Sequence, residues 1–124
     1  MIKKPSWIKS PIPIGNNFTN LKKLVLKNKL HTVCQEAKCP NLSECWSHGT
    51  ATFLILGDTC TRWCGYCNVK TGKPYELDLE EPKKVANAVR KLNLRYVVIT
   101  SVTRDDLRDG GASIYIKTIK EILN

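Results

Sequence analysis

Six cysteines, all between Cys34 and Cys67, constrain this chain more than any other feature. They form two groups of three: Cys34, Cys39 and Cys45 in the spacing C-x4-C-x5-C, and Cys60, Cys64 and Cys67 in the spacing C-x3-C-x2-C. In a secreted chain six cysteines would suggest three disulfides. Odd-numbered sets suit chelation better than pairing. The opening run Met1-Ile2-Lys3-Lys4-Pro5-Ser6-Trp7 also lacks the apolar stretch of an export signal. A reducing compartment is therefore expected, cytoplasmic or an organellar matrix or stroma.

Thiolates are soft ligands, suited to zinc or to iron–sulfur clusters. Structural zinc wants a closed shell of four ligands. Three close thiolates can instead hold three irons of a [4Fe–4S] cubane and leave the fourth iron open to a small molecule. For the first group, His31 and His48 are near enough in sequence to complete a zinc site, so a zinc knuckle stays open there.

A chain of 124 residues can bury one modest core. The longest apolar runs, Phe53–Leu56 and Tyr96–Ile99, fall far short of the roughly 20 residues that cross a bilayer. No membrane partner is expected. Twenty Lys and Arg against eleven Asp and Glu give a formal charge of +9. The basic residues are scattered and no aromatic-interleaved basic motif occurs, so nucleic acid is not expected either. A solvated surface, or docking of an acidic protein, fits the charge.

Along the chain, residues 1 to about 20 are rich in proline and asparagine and predict an irregular arm, pinned to a larger body by Trp7, Ile8, Ile12 and Ile14. Asn20 to Leu30 predicts a short helix burying Leu21, Leu24, Val25 and Leu26. Thr50 to Leu56 is β-branched and apolar and predicts a buried strand. Pro82 predicts the N1 position of a helix whose stripe is Val85, Ala86, Val89 and Leu92. Arg95 to Val102 predicts a second buried strand, and a helix from Ala112 is expected to bury Ile116, Ile119, Ile122 and Leu123. Strand, helix, strand is a βαβ unit with parallel strands. Two strands with open edges make a poor final structure, so further βα units are expected to follow. Residues 1–49 form an N-terminal extension in this reading, and residues 50–124 the first two βα units.

Cys60 lies just past the C-terminal end of the first long strand, where (β/α) barrels build active sites. With Tyr66 before its last cysteine, the segment Cys60–Cys67 resembles radical S-adenosylmethionine enzymes. The resemblance implies a [4Fe–4S] cluster whose open iron chelates S-adenosylmethionine, and an α/β fold that is the start of a (β/α)6 partial TIM-type barrel. It narrows at His31-Thr32-Val33-Cys34 through Gly57-Asp58, at Leu77–Pro82 and at Tyr96–Leu107, which are similar to lipoyl synthases nearly residue for residue.

That second resemblance implies two [4Fe–4S] clusters, an auxiliary one on Cys34, Cys39 and Cys45 and a radical-generating one on Cys60, Cys64 and Cys67. It further implies sulfur insertion at C6 and C8 of an octanoyl group on a lipoyl-carrier domain, with ferredoxin or flavodoxin as electron donor. Saturated C–H bonds resist acid–base chemistry, which is why a carbon radical is needed.

The loop Thr100 to Asp106 stands where such enzymes contact S-adenosylmethionine, which implies contacts from Thr100, Ser101 and Asp105. Capping of the following helix by Asp109 and Gly110 is the plainer reading of this polar run. Asn41 and Glu44 are expected to support the first cluster, to contact substrate or to cap a turn, and Trp46 and Trp63 to shield the clusters. The sequence departs from the lipoyl synthase pattern at three places. The C-terminal Arg-Ser-Ser-Tyr motif, whose serine completes the auxiliary site, does not occur; Arg108 stands where proline is common; Ile114 stands where histidine is frequent. The chain by itself is expected to be inactive. A different radical enzyme with an auxiliary cluster, or a non-catalytic zinc or iron–sulfur module, are the alternative readings.

Overall fold

The computed structural model describes residues 2–124. Helix α1 (Asn16–Lys27) starts four residues earlier than the sequence predicts and turns Leu21 and Val25 inward. Leu26, expected on that buried side, is 65% exposed. A helix at 100° per residue cannot bring three consecutive residues to one narrow contact. Strand β1 (His31–Thr32) follows, then two short helices, α2 (Val33–Glu36) and α3 (Leu42–Ser47). Thr32 caps α2, its hydroxyl accepting from the Gln35 amide at 3.2 Å.

Strand β2 (Thr50–Ile55) is the middle of a three-stranded sheet ordered β1-β2-β5. β1 pairs with it antiparallel, placing His31 opposite Leu54. β5 (Tyr96–Ser101) pairs with it in parallel, from Thr50 opposite Tyr96 to Ile55 opposite Ser101. Helix α4 (Glu81–Lys91) crosses between the two parallel strands, with Pro82 in its first turn as expected. It buries Val85, Ala86 and Ala88 and leaves Val89 and Leu92 half-buried. Two-residue strands β3 (Thr59–Cys60) and β4 (Lys70–Thr71) pair with each other around the second cysteine group. Helix α5 (Ala112–Leu123) closes the chain and packs on α4. The βαβ unit is therefore present, with the mixed α/β character expected of a TIM-type fold.

Three packing expectations are corrected. Trp7, Ile8, Ile12 and Ile14 do not pin the arm, being 51–80% exposed; two hydroxyls hold it instead, Ser10 donating to the Pro40 carbonyl and Ser43 to that of Pro11. β5, expected as a second buried strand, is the last strand of this three-stranded sheet and is only half-buried, with Tyr96 and Val98 exposed. Helix α5 buries Ile114 and Thr118, while Ile116, Ile119 and Leu123 are exposed. The helix carries two adjacent apolar stripes, 114-118-122 and 116-119-123, and packing against α4 selects the first.

The core joins the extension to the βαβ unit. Leu21, Val25, Trp46, Phe53, Leu54, Ile55, Leu56, Val85 and Ile114 form one buried cluster, with Phe18 tilted against Trp46 at 5.3 Å between ring centroids. Beyond the end of β2 the chain turns sharply. Leu56 has φ +70° and Gly57 φ +94°. A leucine in this region costs on the order of 1–3 kcal/mol and persists only where its surroundings hold it.

Candidate metal centres

The two cysteine groups occupy different structural settings. Cys34 lies in α2, Cys45 in α3, and Cys39 in the connection between them. The Cys39 amide donates to the Cys34 carbonyl at 3.0 Å and the Leu42 amide to the Cys39 carbonyl at 3.3 Å, so successive backbone turns link the three cysteines. Burial raises the Cys45 thiol above its ordinary range, and the neighbouring Cys34, Cys39 and Glu44 raise it further. A cavity of about 380 Å³ opens beside Cys34 and Cys39, lined also by Ser10, Pro11, Lys38 and Ser43.

Cys60 ends β3, while Cys64 and Cys67 are exposed in the loop that follows. Two backbone amides reach the Cys60 sulfur, that of Thr103 at 3.3 Å and that of Arg62 at 3.5 Å. Burial alone would raise this thiol. The Arg62 and Thr103 donors outweigh it and hold the thiol below its ordinary range. The Cys67 amide bonds back to the Cys64 carbonyl at 3.1 Å, so the last two ligands share one turn.

The cysteine loop is tied to the loop after β5. The Thr61 amide and hydroxyl both lie 3.0 Å from the Thr103 carbonyl. Arg62 forms a forked pair with Asp105, at 3.1 Å through Nε and 3.0 Å through Nη2. Asp105 also accepts from the Thr61 hydroxyl at 2.8 Å. The Arg62 and Thr61 hydrogen bonds hold its carboxyl below the usual range. The pair is exposed to solvent, which screens it, so it adds little to stability. Its role is geometric: it fixes one loop against the other.

Sequence reasoning placed Thr100 and Ser101 in a loop. They lie in β5 itself, opposite Leu54 and Ile55. Successive strand residues face opposite sides of a sheet, so the two cannot present their hydroxyls to one point. Asp109 caps α5 as read, accepting from the Ser113 and Gly111 amides at 2.9 and 3.0 Å. The Ser113 hydroxyl and these amides lower its carboxyl to about 2. Asn41 stands at the N-cap of α3 without a side-chain bond, and Glu44 faces Cys45 electrostatically. Trp46 is 1% exposed, whereas Trp63 is 88% exposed and shields nothing.

Two buried charges escaped the sequence reading. Glu81 is 6% and Arg104 3% exposed. The Leu56 amide donates to Glu81 Oε2 at 2.9 Å, and Arg104 Nη1 donates to the Leu56 carbonyl at 2.9 Å. Glu81 stands beside Pro82, which marks the helix start, and Arg104 lies in the polar run after the second strand; neither position signals burial in the sequence.

The donor chemistry fits iron–sulfur clusters. All six thiols are free, and they form two local sets of three soft donors. Among the described residues, no three His, Cys, Asp or Glu side chains converge on a single-ion site. A cubane spreads its thiolates over several irons and does not need that convergence. The two histidines weighed as zinc ligands each make a contact through Nδ1, His31 3.5 Å from Glu36 and His48 2.8 Å from the Glu44 carbonyl, and neither contact uses Nε2.

The chain is similar to known protein families in two stretches. The sequence profile of the N-terminal domain of lipoyl synthase of the radical SAM family matches residues 1–39, and that of the radical SAM superfamily matches residues 54–123. Curated proteins named lipoyl synthase are similar along nearly the whole chain. That of Geobacillus sp. (strain WCH70) is 55% identical over 122 residues, 98% of this chain and 41% of the relative. That of Deinococcus radiodurans is 57% identical over 121 residues, 97% of this chain and 37% of the relative. That of Bacillus subtilis (strain 168) is 55% identical over 122 residues, again 98% and 41%. The chain thus spans about two fifths of the length of the curated relatives it matches.

Proposed function

The chain belongs to the radical SAM superfamily, and from that premise we propose that it is the N-terminal part of a lipoyl synthase, inserting sulfur at C6 and C8 of a protein-bound octanoyl group. Cys60, Cys64 and Cys67 hold the [4Fe–4S] cluster that engages S-adenosylmethionine, and Cys34, Cys39 and Cys45 hold an auxiliary [4Fe–4S] cluster. When bound, these groups supply a 5′-deoxyadenosyl radical and the inserted sulfur. The chain's own residues prepare the sites. The amides of Arg62 and Thr103 favour thiolate at Cys60, and the Arg62–Asp105 fork orders the loop.

Residues 1–49 form the extension and residues 50–124 the first two βα units of a (β/α)6 partial barrel. Asp105 borders the S-adenosylmethionine site and acts through Arg62 as well; of Thr100 and Ser101, which face opposite sides of the sheet, one joins it. The substrate is an octanoylated lipoyl-carrier domain, and ferredoxin or flavodoxin supplies electrons, in the cytoplasm. Among the described residues no helix is long and apolar enough to cross a membrane.

One observation carries this reading: two sets of three free thiols, in these spacings, on a chain about 55% identical to lipoyl synthases over nearly its full length. The test uses the intact gene product, loaded anaerobically and given S-adenosylmethionine, a reductant and an octanoylated carrier. It should yield 5′-deoxyadenosine and a carrier carrying two added sulfurs. Cys64→Ala should abolish both products, and 5′-deoxyadenosine formed by that variant would place the radical chemistry elsewhere.

A further inference from the structure

We propose that Glu81 and Arg104 are positioning residues for the radical-cluster site, clamping the Leu56 peptide in its left-handed turn and so setting where the Cys60 loop leaves the sheet. The inference rests on the reading of Cys60, Cys64 and Cys67 as cluster ligands.

The ladder between β2 and β5 ends at Ile55, so the Leu56 main-chain groups must find partners outside it. Both partners are buried charges on opposite sides of the residue: the Glu81 carboxylate takes the amide, and the Arg104 guanidinium takes the carbonyl, each at 2.9 Å. Charged side chains this buried are rare unless every polar atom is used. Arg104 spends the rest of its fork on Asp106, at 2.9 and 2.8 Å, and on the Tyr75 carbonyl at 3.0 Å. Leu56 has φ +70°, a region that favours glycine, while its side chain is 1% exposed and faces Gly111. A residue needed as leucine for packing, yet bent like a glycine, depends on what grips its peptide.

The clamp reaches the ligand from both directions. Cys60 follows Leu56 by four positions in the chain. Thr103, immediately before Arg104, donates its amide to the Cys60 sulfur. Arg104 therefore anchors the start of the segment 56–60, and the residue beside it holds the end. If the clamp is released, the Cys60 thiol should move away from the amide that prepares it, while the Cys34, Cys39 and Cys45 group, carried on other elements, should not.

The experiment compares Glu81→Leu, which keeps bulk but loses the acceptor, with Glu81→Gln, which keeps an oxygen for the Leu56 amide. Each is reconstituted anaerobically with iron and sulfide, alone and combined with Cys39→Ala so that only the Cys60 site can load. Wild type and Glu81→Gln should take about eight irons per chain, and Glu81→Leu about four. In the Cys39→Ala background Glu81→Leu should take none. Amide exchange at Leu56 and Gly57 should quicken in Glu81→Leu alone. A Glu81→Leu chain that loads both sites like wild type overturns the proposal, as does equal loss at both sites in a folded chain. Should Glu81→Leu not fold, Arg104→Lys takes its place, because it keeps the charge but loses the fork. It must slow loading at the Cys60 site only, and uniform loading overturns the clamp. A wild-type chain that takes no iron would overturn the cluster reading instead. The clamp would then be decided by whether Glu81→Leu removes, and Glu81→Gln keeps, protection of the Leu56 amide.

Discussion

The two cysteine groups carry the same ligand atoms, yet the fold treats them in opposite ways. Around Cys60 the backbone delivers two amide donors to the sulfur and lowers its thiol. Around Cys45 it delivers burial and neighbouring thiols, which raise the thiol. The first site is organised by the sheet: β2 ends beside it and the loop after β5 braces it. The second is organised by two short helices, α2 and α3, which pack on β2 directly, with α3 also against α1. A site at the end of a parallel strand arrives with its electrostatics set, whereas a site on short helical turns depends on the group it binds to gather its ligands. The proposed function assigns the radical-generating cluster to the first site and the auxiliary cluster to the second.

The largest expected effect separates the sites. Cys64→Ala and Cys39→Ala should each remove about four of about eight irons, leaving the other cluster's spectrum intact. Loss of all iron from either variant would break the comparison, because it would make the two sites one unit. The next effect asks whether the extension shares the core. Trp46 is fully enclosed between α1 and β2, so Trp46→Ala should cost about 3–5 kcal/mol in denaturant unfolding of the whole chain. A local transition confined to residues 1–49 would show two separate bodies.

A smaller effect probes the turn that feeds the Cys60 loop. A Cβ on Gly111 would fall 2.3 Å from Leu56 Cδ1, and Gly111 has φ +97°. Gly111→Ala should therefore destabilise by about 1–3 kcal/mol, and it should hinder Cys60-site loading more than loading at Cys34, Cys39 and Cys45.

The smallest effect is one of pH. Asp109 titrates at about 2 in the folded chain against 3.8 normally, so the folded state holds fewer protons in that window. Its contribution is complete above 3.8 and is lost as pH falls through about 2, and Asp109→Asn should flatten that fall in urea midpoints. Glu81 runs the other way. Burial raises its carboxyl, so its contribution declines as pH rises from 4.5 through the raised value.

The strands and helices of the βαβ unit were legible because periodicity and Pro82 mark them locally. So were the cysteine groups, because spacing is a property of sequence. What escaped was decided by tertiary partners. Helix α5 offers two apolar stripes of similar strength, and only contact with α4 distinguishes Ile114 and Thr118 from Ile116 and Ile119. Trp7 and Trp63 look alike to Trp46 in composition, but only Trp46 meets Phe18 and the core. Glu81 and Arg104 are 23 positions apart, and no pattern in either segment announces that both grip one peptide.

Metal content after anaerobic reconstitution tests the central claim most directly. The account predicts a brown chain with about eight irons, matching acid-labile sulfide and no zinc. A colourless chain holding one or two zinc ions would contradict it.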